Sequence, residues 1–364
     1  MIIAGIGTAV PPHRIGRADA AAIMKRFSCE TAEHERLFDE LYRRSGVDTR
    51  GSVLLNASTG DLSERQSFFV DQSPSTSERM RKYEAEAQGM ASASSRAAIA
   101  EADIDPKTIT HLITASCTGF HSPGFDISLI KQLQLDRDVA RVHVGFMGCH
   151  ALINATRVAK AFVEADRSAR PLVCAVELCS LHHQYGWDAN KIVSNALFAD
   201  GSAAFVGVRE GSEVGGRVRR SSDPVYRLIA TGSTLIDDSE DAMSWRIGDH
   251  GFEMTLSSRV PELIGRNLRP RLDAWLSSRS LSVDSIGSWA IHPGGPRILS
   301  AVAEAAGLDR SAIEPSLRVL AEHGNMSSPT ILFILDRLRR SHAPRPCLAL
   351  AFGPGLTIET ALLN

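Results

Sequence analysis

Gly148-Cys149 opens an apolar helical run from about Ala151 to Glu164, which leads through Arg170-Pro171 into Leu172-Val173-Cys174-Ala175-Val176. Gly324-Asn325 opens a second run from Pro329 to Arg340, which leads through Arg345-Pro346 into Cys347-Leu348-Ala349-Leu350-Ala351. The likeness continues upstream. An amphipathic segment, Ser94 to Ala102, passes through Ile104-Asp105-Pro106 into His111-Leu112-Ile113-Thr114-Ala115 and then Gly119. Its counterpart, Leu272 to Ser278, passes through Leu281-Ser282-Val283-Asp284 into Ser288-Trp289-Ala290-Ile291 and then Gly294. Four elements hold one offset of roughly 175 residues, the mark of an internal duplication. The expectation is two αβ halves of like topology, 1–210 and 211–364, around one core. Their junction is expected in the polar, Gly-rich stretch from Arg209 to Arg227.

Local patterns agree with that division. Ser202 to Val208 is a short apolar run, as expected of a strand covered on both faces. Ile331, Ile334, Leu335 and Leu338 keep the helical period. Met1 to Gly5 reads as a first strand with no basic region ahead of it, hence not a signal peptide. Between Ala18 and Ala100 the chain is more charged and is expected to be mostly helical, with a helix start at Ser75-Thr76-Ser77 before Glu78. Gly5-Ile6-Gly7 is read as a turn, since it lacks the helix and distal acid of a dinucleotide site.

The bulk numbers exclude several classes. Of 364 residues, 43% are hydrophobic and 23% charged, the balance of a globular protein. A formal charge of −2 gives no reason to expect a nucleic-acid partner. Apolar runs such as Cys347 to Phe352 are too short to span a bilayer. The six cysteines form no CxxC pair and no regular framework, so free thiols in a reducing cytoplasm are expected. His182-His183 has no second ligand pair at metal spacing, so no metal is expected.

Three residues carry the chemical reading. Cys149 stands at a strand-to-helix turn, where the positive end of the helix dipole and free N–H groups favour a thiolate; the alternative is a buried core cysteine. His292, in Trp289 to Pro296, ends an apolar strand and holds the place that Cys117 holds in the first half; it reads equally as a structural histidine. Asn325 lies opposite Cys149 in the duplication, and its other reading is a helix cap. If the halves bring both helix starts to one centre, thiol, imidazole and carboxamide suit acyl transfer, with His292 and Asn325 as two donors for one oxyanion.

With these residues in hand, the chain resembles the type III polyketide synthases, the chalcone synthase-like group, over nearly its whole length. The resemblance rests on Gly148-Cys149, Leu197-Phe198-Ala199-Asp200-Gly201, Ile291 to Pro296, Gly324 to Ser328, and Phe352 to Glu359, the last with Ala351 where Gly is usual. It implies an α/β thiolase-like fold of five αβαβα layers, a homodimer, and no cofactor beyond CoA thioesters as substrates. It implies Cys149 as nucleophile and His292 and Asn325 as oxyanion and carbanion support. Phe198 matches the family's gatekeeper phenylalanine, and Met254 stands where plant members have a second one. The resemblance also implies a cavity with Cys117, Thr118, Ser122, His182, Gly294, Gly295 and Pro354 on its walls. Cys117, Ser122 and His182 depart from the plant pattern, which argues against chalcone formation. Asp238 to Trp245 looks like bacterial members that accept fatty acyl starters, which implies alkylpyrone or alkylresorcinol products. The family's CoA-phosphate contacts fall near Arg43, Arg44 and Arg50, a cluster that also reads as a solvated basic face.

The implied reaction loads an acyl group, from CoA or a carrier protein, on a Cys149 thiolate paired with His292. Malonyl-CoA then loses CO2 and its enolate attacks the thioester. The rival readings are a ketoacyl-carrier-protein synthase making one condensation, a Cys-His-Asn thioester hydrolase, and a non-catalytic acyl-CoA binder.

Overall fold

The computed structural model describes residues 1–214, 217–218 and 226–364. Part of the junction expected over 209–227, residues 215–216 and 219–225, therefore lies outside the described residues. In chain order the first half holds β1 (Ile2–Ala9), β2 (Arg14–Gly16), α1 (Arg17–Ser28), α2 (Ala32–Arg44), β3 (Thr49–Gly51), α3 (Thr76–Ala102), β4 (His111–Ser116), α4 (Phe125–Leu133), β5 (Ala140–Gly145), α5 (Ala151–Ala165), β6 (Pro171–Leu178), α6 (Ala189–Leu197) and β7 (Asp200–Val208). There follow β8 (Glu213–Val214), β9 (Arg217–Val218), β10 (Leu228–Leu235), β11 (Met243–Gly248), β12 (Gly251–Leu256), α7 (Val260–Ser277), β13 (Ser288–Ile291), α8 (Pro296–Ala306), α9 (Arg310–His323), α10 (Thr330–Arg340), β14 (Cys347–Gly353) and β15 (Thr357–Leu363).

The duplication is visible in the sheets. One has the order β1-β7-β6-β4-β5 and the other β10-β15-β14-β13. Corresponding neighbours pair alike: β1 with β7 and β10 with β15 are antiparallel, as are β6 with β7 and β14 with β15, whereas β4 with β6 and β13 with β14 are parallel. Only β5 has no counterpart, because the second half spends that length on α8 and α9.

Five layers follow from which faces are apolar. Ile113 and Ala115 of β4 point inward with Ala349 and Ala351 of β14, and α5 and α10 share that core cluster between the sheets. Leu112, Leu172, Cys174 and Val176 point the other way, under α3 and α4. Leu348 and Leu350 likewise pack under α7 and α8. Strands β6, β7 and β14 are buried along their whole length, which is why they read as continuous apolar runs.

Helix α3 starts as its sequence predicts. The Ser75 hydroxyl accepts from the Glu78 amide at 3.3 Å, and the Glu78 carboxylate accepts from the Ser75 amide at 2.8 Å. The stretch from Ala18 to Ala100 is mostly helical, as expected, in α1, α2 and α3, while residues 52–75 carry no helix. One expectation needs correction. Gly5-Ile6-Gly7 is no turn but the middle of β1. A Cβ on Gly7 would stand 2.0 Å from the Ser94 carbonyl, so the glycines let α3 lie directly on the strand.

Candidate active site

Gly148 takes φ +71°, and a Cβ there would lie 2.4 Å from Pro354 Cδ. The bend delivers Cys149 to the start of α5, at the seam between the halves. Asn325 reaches the same seam from the second half. Its amide donates to the Leu197 carbonyl at 2.8 Å and its carbonyl accepts from Ala199 at 2.9 Å, clamping it beside Phe198. Its side-chain oxygen accepts from the Ser327 amide at 2.8 Å, and its carboxamide lies near enough to Cys149 to favour the thiolate. The Ser327 hydroxyl donates to the Cys149 sulfur at 3.6 Å and lies 3.5 Å from the Cys117 sulfur. The structure thus brings the thiol and the carboxamide together.

His292 follows β13, its amide held by the Leu350 carbonyl at 2.8 Å. It is 1% exposed, and both ring nitrogens lack a hydrogen-bond partner among the described residues. Its neighbour His150 is tied on both sides, to Asn154 Oδ1 and Thr357 Oγ1, each at 2.6 Å. Burial, reinforced by the His150 charge, pushes the His292 pKa down to about 3. Burial likewise pushes the Cys149 thiol up to about 12, against the hydrogen bonds from Ser327 and Asn325 that favour the thiolate. Burial thus acts against the lowering expected at the helix start and favours a neutral thiol at Cys149 and a neutral imidazole at His292 in the substrate-free protein.

Glu177 is the chief polar residue that the sequence reading missed. Within the apolar strand β6 it is fully buried. It accepts from the Ser328 hydroxyl at 2.6 Å, the Thr118 hydroxyl at 2.7 Å, the Cys117 amide at 3.0 Å and the Cys117 thiol at 3.3 Å. Burial raises its pKa against those four donors. A charge inside an all-apolar strand was the available signal.

A cavity of about 20 Å³ touches Cys149. Cys117, Thr118, Phe198, Met254 and Pro354, all expected on its wall, are there, joined by Cys179, Met243, Trp245 and Ser327. The Trp245 indole N–H donates to the Cys117 carbonyl at 2.7 Å, which fixes the ring across the floor. His182 lines an adjoining cavity with Phe198 and Met254. Its Nε2–H donates to the Thr118 carbonyl at 2.7 Å and its Nδ1 accepts from the Phe252 amide at 2.9 Å.

Nearly all of the chain matches a known family: "Chalcone and stilbene synthases, N-terminal domain" over residues 1–210, and the corresponding C-terminal domain over 227–364. The chain belongs to the chalcone and stilbene synthases. It is 31% identical to the alpha-pyrone synthesis polyketide synthase-like Pks18 of Mycobacterium tuberculosis, covering 100% of this chain and 91% of that one. It is 30% identical to the 1,3,6,8-tetrahydroxynaphthalene synthase of Streptomyces peucetius, covering 100% and 92%. Among solved structures, PKS-I of the brown alga Ectocarpus siliculosus superposes with a TM-score of 0.90 at 29% identity, covering 100% and 97%. The protein is a type III polyketide synthase of thiolase-like fold, an acyltransferase that condenses with malonyl-CoA.

In this synthase a larger cavity of about 250 Å³ lies on the other side of Leu197. It is lined by Arg44, Leu197, Gly294, Gly295 and Arg297 among others. Leu197 faces this cavity and Phe198 the Cys149 cavity, so the two residues stand between them. Three expected site residues fall elsewhere. Arg50 is 5% exposed, with its guanidinium on the Asn195 and Phe198 carbonyls, so it braces the wall and cannot meet a phosphate. Arg43 is turned to Glu40 at 2.7 Å and does not line the larger cavity. Ser122 lies in a surface cavity of about 370 Å³ beside Tyr83, Phe120 and His143, because the chain turns away from the seam after Thr118. Arg297 was missed. It follows Pro296 directly, is exposed, and has no ionic partner among the described residues.

Proposed function

We propose that this synthase carries its acyl chain on Cys149 and uses His292 and Asn325 to hold the enolate oxygen of decarboxylating malonyl-CoA. The observation that carries the reading is His292, a fully buried imidazole with neither nitrogen paired among the described residues, close to His150, the residue that follows Cys149. An unpaired buried polar group is costly, so a partner supplied by substrate is the natural complement. In the loading step the Cys149 proton passes to His292 as sulfur attacks the starter thioester. The departing CoA thiolate takes that proton back. Malonyl-CoA then places its thioester carbonyl on His292 N–H and the Asn325 amide. As CO2 leaves, the electron pair of the broken C–C bond moves onto that oxygen; the carbanion then attacks the Cys149 thioester carbonyl and expels the Cys149 thiolate, leaving the extended chain on CoA, from which it returns to Cys149 for the next round. Two fixed donors in a closed site contribute about 3–4 kcal/mol each to such a charge.

CoA is assigned to the 250 Å³ cavity, with Arg44 and Arg297 toward its phosphates and Gly294-Gly295 along its pantetheine arm. No metal or organic cofactor is called for. The product reading is an alkylpyrone, following the likeness to a protein named for alpha-pyrone synthesis. Residues 1–210 carry Cys149 and residues 211–364 carry His292 and Asn325. A homodimer in the cytoplasm is part of the same reading. Phe120, Phe146 and Met147 are 55%, 37% and 38% exposed beside the edge strand β5, a face suited to a second copy.

The test is to incubate purified protein with malonyl-CoA and acyl-CoA starters of graded length, reading protein adducts and products by mass spectrometry. An acyl adduct on Cys149 and pyrone products are expected, both absent in Cys149→Ala. Polyketide made by Cys149→Ala would refute the assignment.

A further inference from the structure

Cys149 belongs to the first half and His292 to the second, so their relative placement is set by whatever ties the nucleophile turn across the seam. His150, the residue after Cys149, is 3% exposed and crosses that seam. Its ring packs against Gly353, where a Cβ would stand 2.2 Å from His150 Cδ2. Its Nε2 meets the Thr357 hydroxyl at 2.6 Å, and Thr357 is the partner of Gly353 in the β14–β15 register. His292 hangs from the same strand, its amide on the Leu350 carbonyl at 2.8 Å. From Leu350 to Gly353 the extended chain advances about 10 Å. One strand, β14, therefore supports both the thiol turn and the imidazole. The packing of Gly148 on Pro354 is a second tie, but a contact of carbons has no hydrogen-bond direction.

On its other side His150 Nδ1 lies 2.6 Å from Asn154 Oδ1 of α5. An amide oxygen only accepts, so Nδ1 carries the proton and Nε2 accepts from Thr357. Burial lowers the His150 pKa and keeps the ring in that neutral form. With both nitrogens engaged, the ring has none left for substrate or for proton transfer. We infer that His150, gripped by Asn154 and Thr357, is a positioning residue that sets the Cys149 thiol against the His292 imidazole across the seam. The inference rests on the reading of His292 as acceptor of the Cys149 proton. It divides the reaction into two steps of unlike sensitivity. Loading needs a first-half sulfur and a second-half nitrogen in register, so it depends on the grip. Decarboxylation uses His292 and Asn325, both of the second half, and takes nothing from the turn that carries His150.

Three variants test this. Thr357→Val keeps the shape of the side chain and removes the donor, Thr357→Ser restores it, and His150→Phe keeps a ring against Gly353 without either nitrogen. Loading is read as the rate at which hexanoyl-CoA leaves an acyl group on Cys149, followed by mass spectrometry. Decarboxylation is read as CO2 release from malonyl-CoA alone. Thr357→Val and His150→Phe should load about 10–100-fold more slowly, the scale of a misplacement of up to about 1 Å, with decarboxylation unmoved. Thr357→Ser should load like the parent. Unmoved loading in Thr357→Val and His150→Phe overturns the inference. So does an equal loss in both steps, which would mark a general loosening, and so does a Thr357→Ser as slow as Thr357→Val. His292→Ala separates the two claims. Normal loading there overturns the reading on which the inference rests, whereas slowed loading there with unmoved loading in Thr357→Val overturns the inference alone.

Discussion

Cys117 is the first residue after β4 and His292 the first after β13, so the duplication gives them the same place, yet their surroundings are opposite. Around Cys117 each polar group is spoken for: amide and thiol on Glu177, carbonyl on the Trp245 indole. Around His292 the backbone is held and the ring is left unbonded. One copy of the unit has become a rigid wall, and the other presents a group whose partners must come from outside. Substitutions in the two places should therefore separate stability from catalysis.

The largest separation is expected at the second half. His292→Ala and Asn325→Ala should each slow malonyl-CoA decarboxylation by about 10²-fold or more, since each removes a donor from the proposed oxyanion site. His292→Ala should leave the unfolding midpoint nearly unchanged, because loss of side-chain packing is offset by removal of an unpaired buried imidazole. CO2 release measured on the two variants, beside their melting curves, decides the matter; unaltered release in both removes the oxyanion role.

A second contrast concerns charge. With the Cys149 thiol near 12 and His292 near 3, both groups are neutral at pH 7. The thiolate fraction then rises about tenfold for each pH unit well below the thiol pKa. Alkylation of the substrate-free protein by iodoacetamide should thus accelerate by about 100-fold from pH 7 to pH 9, without a plateau. A preformed ion pair would make that rate flat over the same range, and a flat profile would restore the lowered thiol pKa expected at the start of α5.

The first half should respond in stability. Thr118 donates to Glu177 and accepts from the Leu178 amide at 2.9 Å. Thr118→Val keeps the shape and strands both partners inside the protein, at a cost of about 1–3 kcal/mol. Denaturant unfolding reads it; a loss below about 0.5 kcal/mol would mean that water fills the gap.

What the sequence disclosed and what it hid have separate physical causes. The periods of strand and helix, the Gly-Cys and Gly-Asn turns and the Ser75–Glu78 cap are local, so the two halves and their order were readable from the chain. Arg50 and Arg297 show the limit. Both are arginines near turns, and only the packing against the Asn195 and Phe198 carbonyls makes one a brace, while open surroundings leave the other exposed. Ser122 is four residues beyond Thr118, yet the chain leaves the seam between them. The state of Cys149 was hidden for a different reason: the helix start favours the thiolate locally, but the closed cavity decides, and closure depends on side chains from both halves.

The smallest effect is expected where the two cavities meet. Met254 pairs with Trp245 across the β11–β12 hairpin, and both side chains form the wall beside Cys149. The indole is pinned by its bond to Cys117, whereas no hydrogen bond can fix a thioether chain, so the yielding side of the wall is Met254. Met254→Phe replaces a flexible chain by a rigid ring of larger volume. Small starters should still load, since Cys149 keeps its neighbours Ser327 and Asn325. The preference for long over short acyl-CoA starters, measured as a ratio of kcat/KM, should fall by about 4–15-fold, the worth of one or two buried methylenes at about 0.8 kcal/mol each. An unchanged ratio would place the flexible side of the cavity at Met243 instead, the other methionine on the same wall.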